Sequence, residues 1–445
     1  MVTAWGGTQN AWRTRAAARQ GGRMTSTDTA VGHENPWAAS PTPPPAPSTT
    51  TWRAVDAPPV PPTLEHPDVW AVRAYTDIEH DVQLATWGWT DWWAPLPVML
   101  GVLQHQEYQR KVLVLALPEP DPATDGATAL ADDDAADGAR RADREQAGGN
   151  APEPQDVGGA AIVWLATDAN THLAYVTLMV RPTLEGRGIG ETLLARAEEI
   201  ARADGRTTVI VPSNHSPEPP PGPGALDAPT GAGRVPAASR GARFALGHGY
   251  ALEQVERASV LRLPVAPERL DTLEREATRA AGDDYRLHTW WDEVPAAWQD
   301  QVAILWTRMS TDVPSADLDV EESPWDAARV RSYLADMAGR HQHVLVTVAE
   351  HVPTGTLTAF SVLQIPVSDV LFAFQEDTLV LREHRGHRLG MLVKVANLRA
   401  YAERRPGERR INTWNAQENE HMLAINVALG FEPVGVAAVW QKKLT

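Results

Sequence analysis

Two short stretches carry residue types that could do chemistry. "LEGRGIG" (184–190) and "HRGHRLG" (384–390) are rich in glycine and arginine, and each follows an apolar run and leads into a helical one. A glycine turn at the start of a helix builds an anion site, because the first helical N–H groups point outward unpaired and the helix dipole adds partial positive charge. Glycine lets the backbone approach a phosphate closely. A dinucleotide fold would need G-x-G-x-x-G early in a βαβ unit, with an acid about twenty residues on. A Walker loop would need G-K-[ST]. Neither pattern is present, which leaves a pyrophosphate site late in a mixed sheet. Ahead of the second loop, "FAFQEDTLVL" carries two adjacent carboxylates, Glu376 and Asp377. The matching run "THLAYVTLMV" ahead of the first has no carboxylate. On a regular strand Glu376 and Asp377 point to opposite faces, so at most one meets the cleft.

The elements that must position these residues repeat. In the first half "WAVRAYT" reads as a strand and "DIEHDVQLATWGWTDWW" as a helix, whose Trp87, Trp89, Trp92 and Trp93 suit a core or an acceptor-pocket wall. Strands follow near 111–117, 160–166 and 173–180, then the first loop. A helix comes next, with Leu193, Leu194, Ala197, Ile200 and Ala201 at helical spacing and Gly205 as its stop. After it come a strand "TTVIVP", a helix "ASRGARFALGHGY" and a hairpin or long strand "ALEQVERASVLRLPV". The second half opens on "YRLHTWW" and runs through two helices, strands, the second loop, a helix, "RINTWNA", "NEHMLAINVALG" and "PVGVAAVWQKKL". A recurrence near 200 residues means a duplicated domain, not a short-repeat solenoid. Residues 1–64 are expected to be a disordered tail rich in Pro, Ser, Thr and Ala, with disordered insertions at about 118–157 and 216–234. That gives domains at 65–264 and 283–445, joined by a charged linker at 265–282.

Composition sets the bounds. The 445 residues suit two or three domains, and an apolar fraction of 43% is ample for packed cores. The absence of cysteine excludes disulfides, thiolate catalysis and Cys-based metal sites, and fits a cytoplasmic protein. A formal charge of −17 argues against nucleic acid as a partner. No apolar run approaches the ~20 residues of a membrane helix, so no membrane partner is expected. Arg13, Arg15, Arg19 and Arg23 precede Met24, a candidate start, without the apolar segment of a secretory signal.

A strand, V-x-P, two residues and then R/Q-x-x-G-x-G/A opening a helix is the acetyl-coenzyme A pattern of the GNAT superfamily of N-acetyltransferases. "VRPTLEGRGIG" (180–190) resembles it well, and "VLREHRGHRLG" (380–390) less strictly. Asn419, Met422, Asn426, Gly430 and Phe431 resemble the family's closing N-x-x-A-x-x-x-Y-x-x-x-G-F, and "GHGY" (247–250) is their counterpart in the first half. The chain thus resembles a tandem GNAT protein. The implied fold class is α/β (α+β, a mixed sheet), with two GNAT-like acyl-CoA N-acyltransferase domains. Glu185 stands where the family has Arg or Gln, and Arg388 replaces the first glycine of the second motif.

The resemblance implies acetyl-CoA as cosubstrate, no metal, and a small-molecule primary amine as acceptor, in a monomer or homodimer. The thioester would lie against backbone N–H groups of Leu178, Met179 and Val180, and of Thr378, Leu379 and Val380. The pyrophosphate would lie on Gly186, Arg187, Gly188, Ile189 and Gly190, and on Arg385, Gly386, His387, Arg388, Leu389 and Gly390. Asn415 and Asn419 are candidate amide contacts for the pantetheine arm. The family's tyrosine general acid is missing from both halves, with Ala245 and Asn426 at its spacing. Asp377 or Glu376 as base makes the second half the catalytic one and leaves the first to bind acetyl-CoA or to buttress it. Acidic residues between 310 and 326 (Asp312, Asp317, Asp319, Glu321 and Glu322) would favour a cationic amine. A non-catalytic acyl-CoA sensor or scaffold, and a transferase of another acyl-CoA, remain open.

Overall fold

The computed structural model describes residues 50–119, 152–368 and 370–444. Residues 1–49 of the expected tail and 120–151 of the first expected insertion lie outside them. The first half runs β1 (Trp52–Asp56), α1 (Val69–Trp87), α2 (Leu96–Gln104), β2 (Gln109–Pro118), β3 (Gly159–Ala166), β4 (Leu173–Val180), α3 (Ile189–Ala203), β5 (Thr208–His215), β6 (Ala225–Asp227), β7 (Arg234–Pro236), α4 (Arg240–Gly247) and β8 (Ala251–Leu263). A connecting helix, α5 (Pro267–Ala281), follows. The second half runs β9 (Tyr285–Trp291), α6 (Gln299–Asp312), α7 (Ala327–Gly339), β10 (Gln342–His351), β11 (Thr356–Pro366), β12 (Phe372–Val380), α8 (Leu389–Arg404), β13 (Arg409–Ala416), α9 (Glu420–Leu429) and β14 (Glu432–Lys443). Apart from the β6–β7 hairpin and α5, the second half repeats the first element for element. Among the described residues no helix is long and apolar enough to cross a membrane.

Among the described residues, all strands but β6 and β7 form one twelve-stranded sheet, ordered β1-β2-β3-β4-β5-β14-β8-β13-β12-β11-β10-β9. The halves have exchanged their last strands. β14, the end of the chain, pairs antiparallel with β5 of the first half, while β8 pairs with β13 of the second. The exchange follows from where the apolar faces are needed. Val436, Ala438 and Trp440 of β14 are fully buried in the first-half core beside Leu193, Ala197 and Val209. Leu261 and Leu263 of β8 complete the second-half core beside Leu389 and Ile411. A boundary at 264 therefore divides the sequence but not the packing.

Several sequence expectations differ from this structure. "WAVRAYT" is the first part of α1, not a strand, because Ala71, Tyr75 and Ile78 line up on one buried helical face. Trp52–Asp56, expected in the tail, pairs with β2 from Trp52↔Pro118 to Asp56↔Val114. The segment 216–234 is ordered: its hairpin buries Ala228 and Val235, and Glu218 accepts a bond from Gln417 at 2.8 Å. The expected linker is the helix α5. Its narrow stripe of Leu270, Ala277 and Ala281 packs on α8 under a highly charged outer face.

Candidate functional site

Two slots open in the sheet at equivalent places. β4 and β5 run parallel but stay in register only at Leu173↔Thr208, Ala174↔Val209 and Tyr175↔Ile210. β12 and β13 do the same only at Phe372↔Arg410, Ala373↔Ile411 and Phe374↔Asn412. Beyond those pairs the strands part and leave backbone groups unpaired toward the loops. Each loop ends in a left-handed residue that starts a helix, Gly188 (φ 82°) for α3 and Arg388 (φ 53°) for α8. Neither helix start is closed by a side-chain cap, so the first N–H groups remain available to an anion.

In the first half the slot is an open cleft of about 520 Å³. Leu178, Met179, Val180, Gly186, Ile189 and Gly190 line it. At Gly190 a Cβ would come within 3.1 Å of the Phe244 ring, so a larger residue would push that ring aside. Arg187 completes the loop, with its Nε enclosed and without a hydrogen-bond partner. Glu185, the departure from the family pattern, is answered by Arg240 of α4, whose Nε lies 3.1 Å away. Arg243 also lines the cleft. Neither arginine stands out in the sequence, and nor does a second feature, Tyr75 and Glu79 at the inner wall. Glu79 is 1% exposed and accepts a bond from the Ala94 N–H at 3.0 Å. Burial pushes its carboxyl up to about 7. The signal was the i, i+4, i+8 face Tyr75–Glu79–Gln83, hidden because the start of α1 read as a strand.

The second slot is built with different chemistry. β3 and β4 pair without interruption. β11 and β12 shift register between Ser361↔Thr378 and Leu363↔Gln375, so Glu376 and Asp377 together face one partner residue. This β-bulge overturns the expectation that the two carboxylates point to opposite faces of a regular strand. Asp377 is buried and its Oδ2 accepts the Trp306 indole N–H at 3.0 Å. Burial raises its carboxyl to about 7, against the opposing effect of that bond. Glu376 is held well above the carboxylate range by burial and then by Asp377, and its Oε1 is enclosed without a partner.

Thr378 bonds Ser361 at 2.9 Å, Leu379 is buried in the core, and the Val380 carbonyl accepts from Arg385 at 3.3 Å. Gly386 is left-handed (φ 90°), the His387 ring lies 5.4 Å from that of Tyr285, and Leu389 is buried. Arg388 reaches away from the loop to Glu276 of α5 at 2.6 Å. Gly390 leaves room for α9: a Cβ there would stand 3.2 Å from Ile425. Asn415 lies across the slot, accepting from Asn426 at 2.7 Å. Asn419 caps α9 instead, accepting the Met422 N–H at 3.2 Å. The acidic segment after α6 is a strap onto the first half. Leu318 and Val320 enter its core, and Asp319 accepts from Thr208 at 2.9 Å and pairs with Lys443. Asp312 lies between Arg382 and Arg385, at 3.3 and 3.5 Å.

Both sets of residues fit a pyrophosphate-bearing acyl-CoA. The carrying features are the uncapped helix starts and the left-handed turns that lead into them. Residues 117–216 match the acetyltransferase (GNAT) family model. No curated protein matches the chain. Among solved structures, it is similar to a tandem GNAT protein from the clavulanic acid biosynthesis pathway (without AcCoA). The TM-score is 0.60 and the identity 22%, over 88% of this chain and 98% of that one. It is also similar to a GCN5-related N-acetyltransferase from Sphaerobacter thermophilus, with TM-score 0.50 and 14% identity over 88% and 96% of the two chains. Residues 117–216 thus match the GNAT acetyltransferase family, and the chain as a whole has the tandem GNAT fold.

Proposed function

We propose that this protein is an acetyl-CoA-dependent N-acetyltransferase acting on a primary amine, with its chemistry in the second half and a second acetyl-CoA held by the first. The observation that carries this reading is the pair of slots, each ending at an uncapped, left-handed helix start. Acetyl-CoA supplies the activated acyl group as a thioester. The residues of the second slot supply the rest. N–H groups along Thr378–Val380, beside the bulge, suit polarisation of the thioester carbonyl. Asp377, with its carboxyl near 7, suits removal of a proton from the acceptor nitrogen around neutrality. The expected preference for a cationic amine gains no support, because Asp312 and Asp319 are engaged by the chain's own cations.

A second reading places the chemistry in the first half, with Glu79 as base, and the open cleft that Glu79 lines favours it. Titration of acetyl-CoA into the full chain tests the common core of both. Two binding sites are expected, one lost with Gly190→Val and the other with Gly390→Val. Primary amines from a panel should then release CoA thiol. Binding without release for any amine would make the protein a sensor, and release only from longer acyl-CoAs would change the donor.

A further inference from the structure

We propose that Lys394 gives the leaving CoA thiolate its proton in the second slot. The inference rests on the reading that this slot binds acyl-CoA. Lys394 lies on α8, four residues past Gly390, and is 1% exposed. Its Nζ sits 5.7 Å from the centre of the Phe431 ring. A buried lysine in an apolar core is disfavoured unless something there uses its charge or its proton.

The duplication says what that core faces. Gly190 and Gly390 hold the same place in their loops, and the same spacing puts Lys394 on Leu194. The "GHGY" and "LGFE" turns likewise put Asn426 on Ala245 and Phe431 on Tyr250. Leu194, Ala245 and Tyr250 all line the first-half cleft. Their counterparts therefore surround the second slot on its α8–α9 side, where Asn426 reaches Asn415 at 2.7 Å and keeps its own Oδ1 enclosed without a partner. Asn426 also stands where the family pattern has its tyrosine acid, so a proton donor is missing at the place the lysine faces. Burial brings the Lys394 amine down to about 7. It can hold and give up a proton near neutrality.

The step balances. The acceptor nitrogen attacks the thioester carbon and loses a proton to the Asp377 carboxylate. The C–S bond breaks, and the thiolate takes a proton from the Lys394 ammonium. Both side chains then exchange protons with solvent. No oxidant or further reactant enters.

The test uses the full chain and two probes, CoA and desulfo-CoA, near neutral pH. Lys394→Leu restores the residue of the first half, so folding is expected to survive. Lys394→Arg keeps the charge but does not release its proton. In the wild type, the site that Gly390→Val removes should favour CoA over desulfo-CoA by about tenfold or more, the range of a charge-assisted hydrogen bond. Lys394→Leu should abolish that preference at this site alone. Thiol release with a reactive amine should fall about 10²-fold in both variants, the usual range for losing a general acid. If Gly390→Val removes no site, the reading of the second slot fails. If it removes a site whose preference and turnover survive Lys394→Leu, only the role of Lys394 is overturned. Acetylated Lys394 in digests of protein incubated with acetyl-CoA would also overturn it, since the amine would then be an acceptor.

Discussion

Asp377 sits at a bulge next to Glu376, buried, with the Trp306 indole N–H on its carboxyl group. With its carboxyl near 7, kcat/KM should rise with pH through about 7 as the base ionises, and a pH–rate profile reads this directly. A stability effect of opposite sense accompanies it. The native state keeps this proton above the pH at which the unfolded chain has released it. Stability is therefore fully present below the unfolded carboxyl range and falls as pH rises toward 7. Asp377→Asn should thus raise the melting temperature relative to wild type by more at pH 8 than at pH 4. A difference that does not change with pH would contradict the assignment. At the first loop, Gly188 is left-handed at φ 82°. Gly188→Ala should destabilise by about 1–2 kcal/mol, measurable by denaturant unfolding.

At the scale of elements, the glycine loops, the duplicated order and the helices α3, α8 and α9 were legible because periodicity and glycine placement are local signals. What was hidden depends on partners. The bulge at Glu376–Asp377 exists only against β11, and Glu79 reaches its cleft only once α1 is seen as one helix. The segments 118–157 and 216–234 look alike in composition, yet the second carries Leu226 and Ala228 into the first-half core. Replacing 219–232 with a short glycine linker should therefore lower the melting temperature by several degrees. Deleting 120–151 should leave it nearly unchanged, since β2 and β3 already pair from Gln109↔Ala166 to Ala116↔Gly159. Equal effects from the two deletions would show that this contrast is misplaced.

At the scale of the molecule, the exchange of β8 and β14 makes each half depend on the other, so the two slots share one sheet. No periodicity announces the exchange, because β8 and β14 suit either position by pattern alone. Removing β14 strips Val436, Ala438 and Trp440 from the first-half core, at about 1.5–3 kcal/mol for each large apolar side chain. Fragments 50–264 and 265–444 should accordingly fail to fold separately and recover structure when refolded together, as circular dichroism would report. Turnover tests most directly which half carries the chemistry. With acetyl-CoA and a reactive primary amine, CoA thiol release should fall about 10²-fold in Asp377→Asn, at least tenfold more than in Glu79→Gln. A collapse of release in Glu79→Gln with Asp377→Asn unaffected would contradict the account and place the chemistry in the first half.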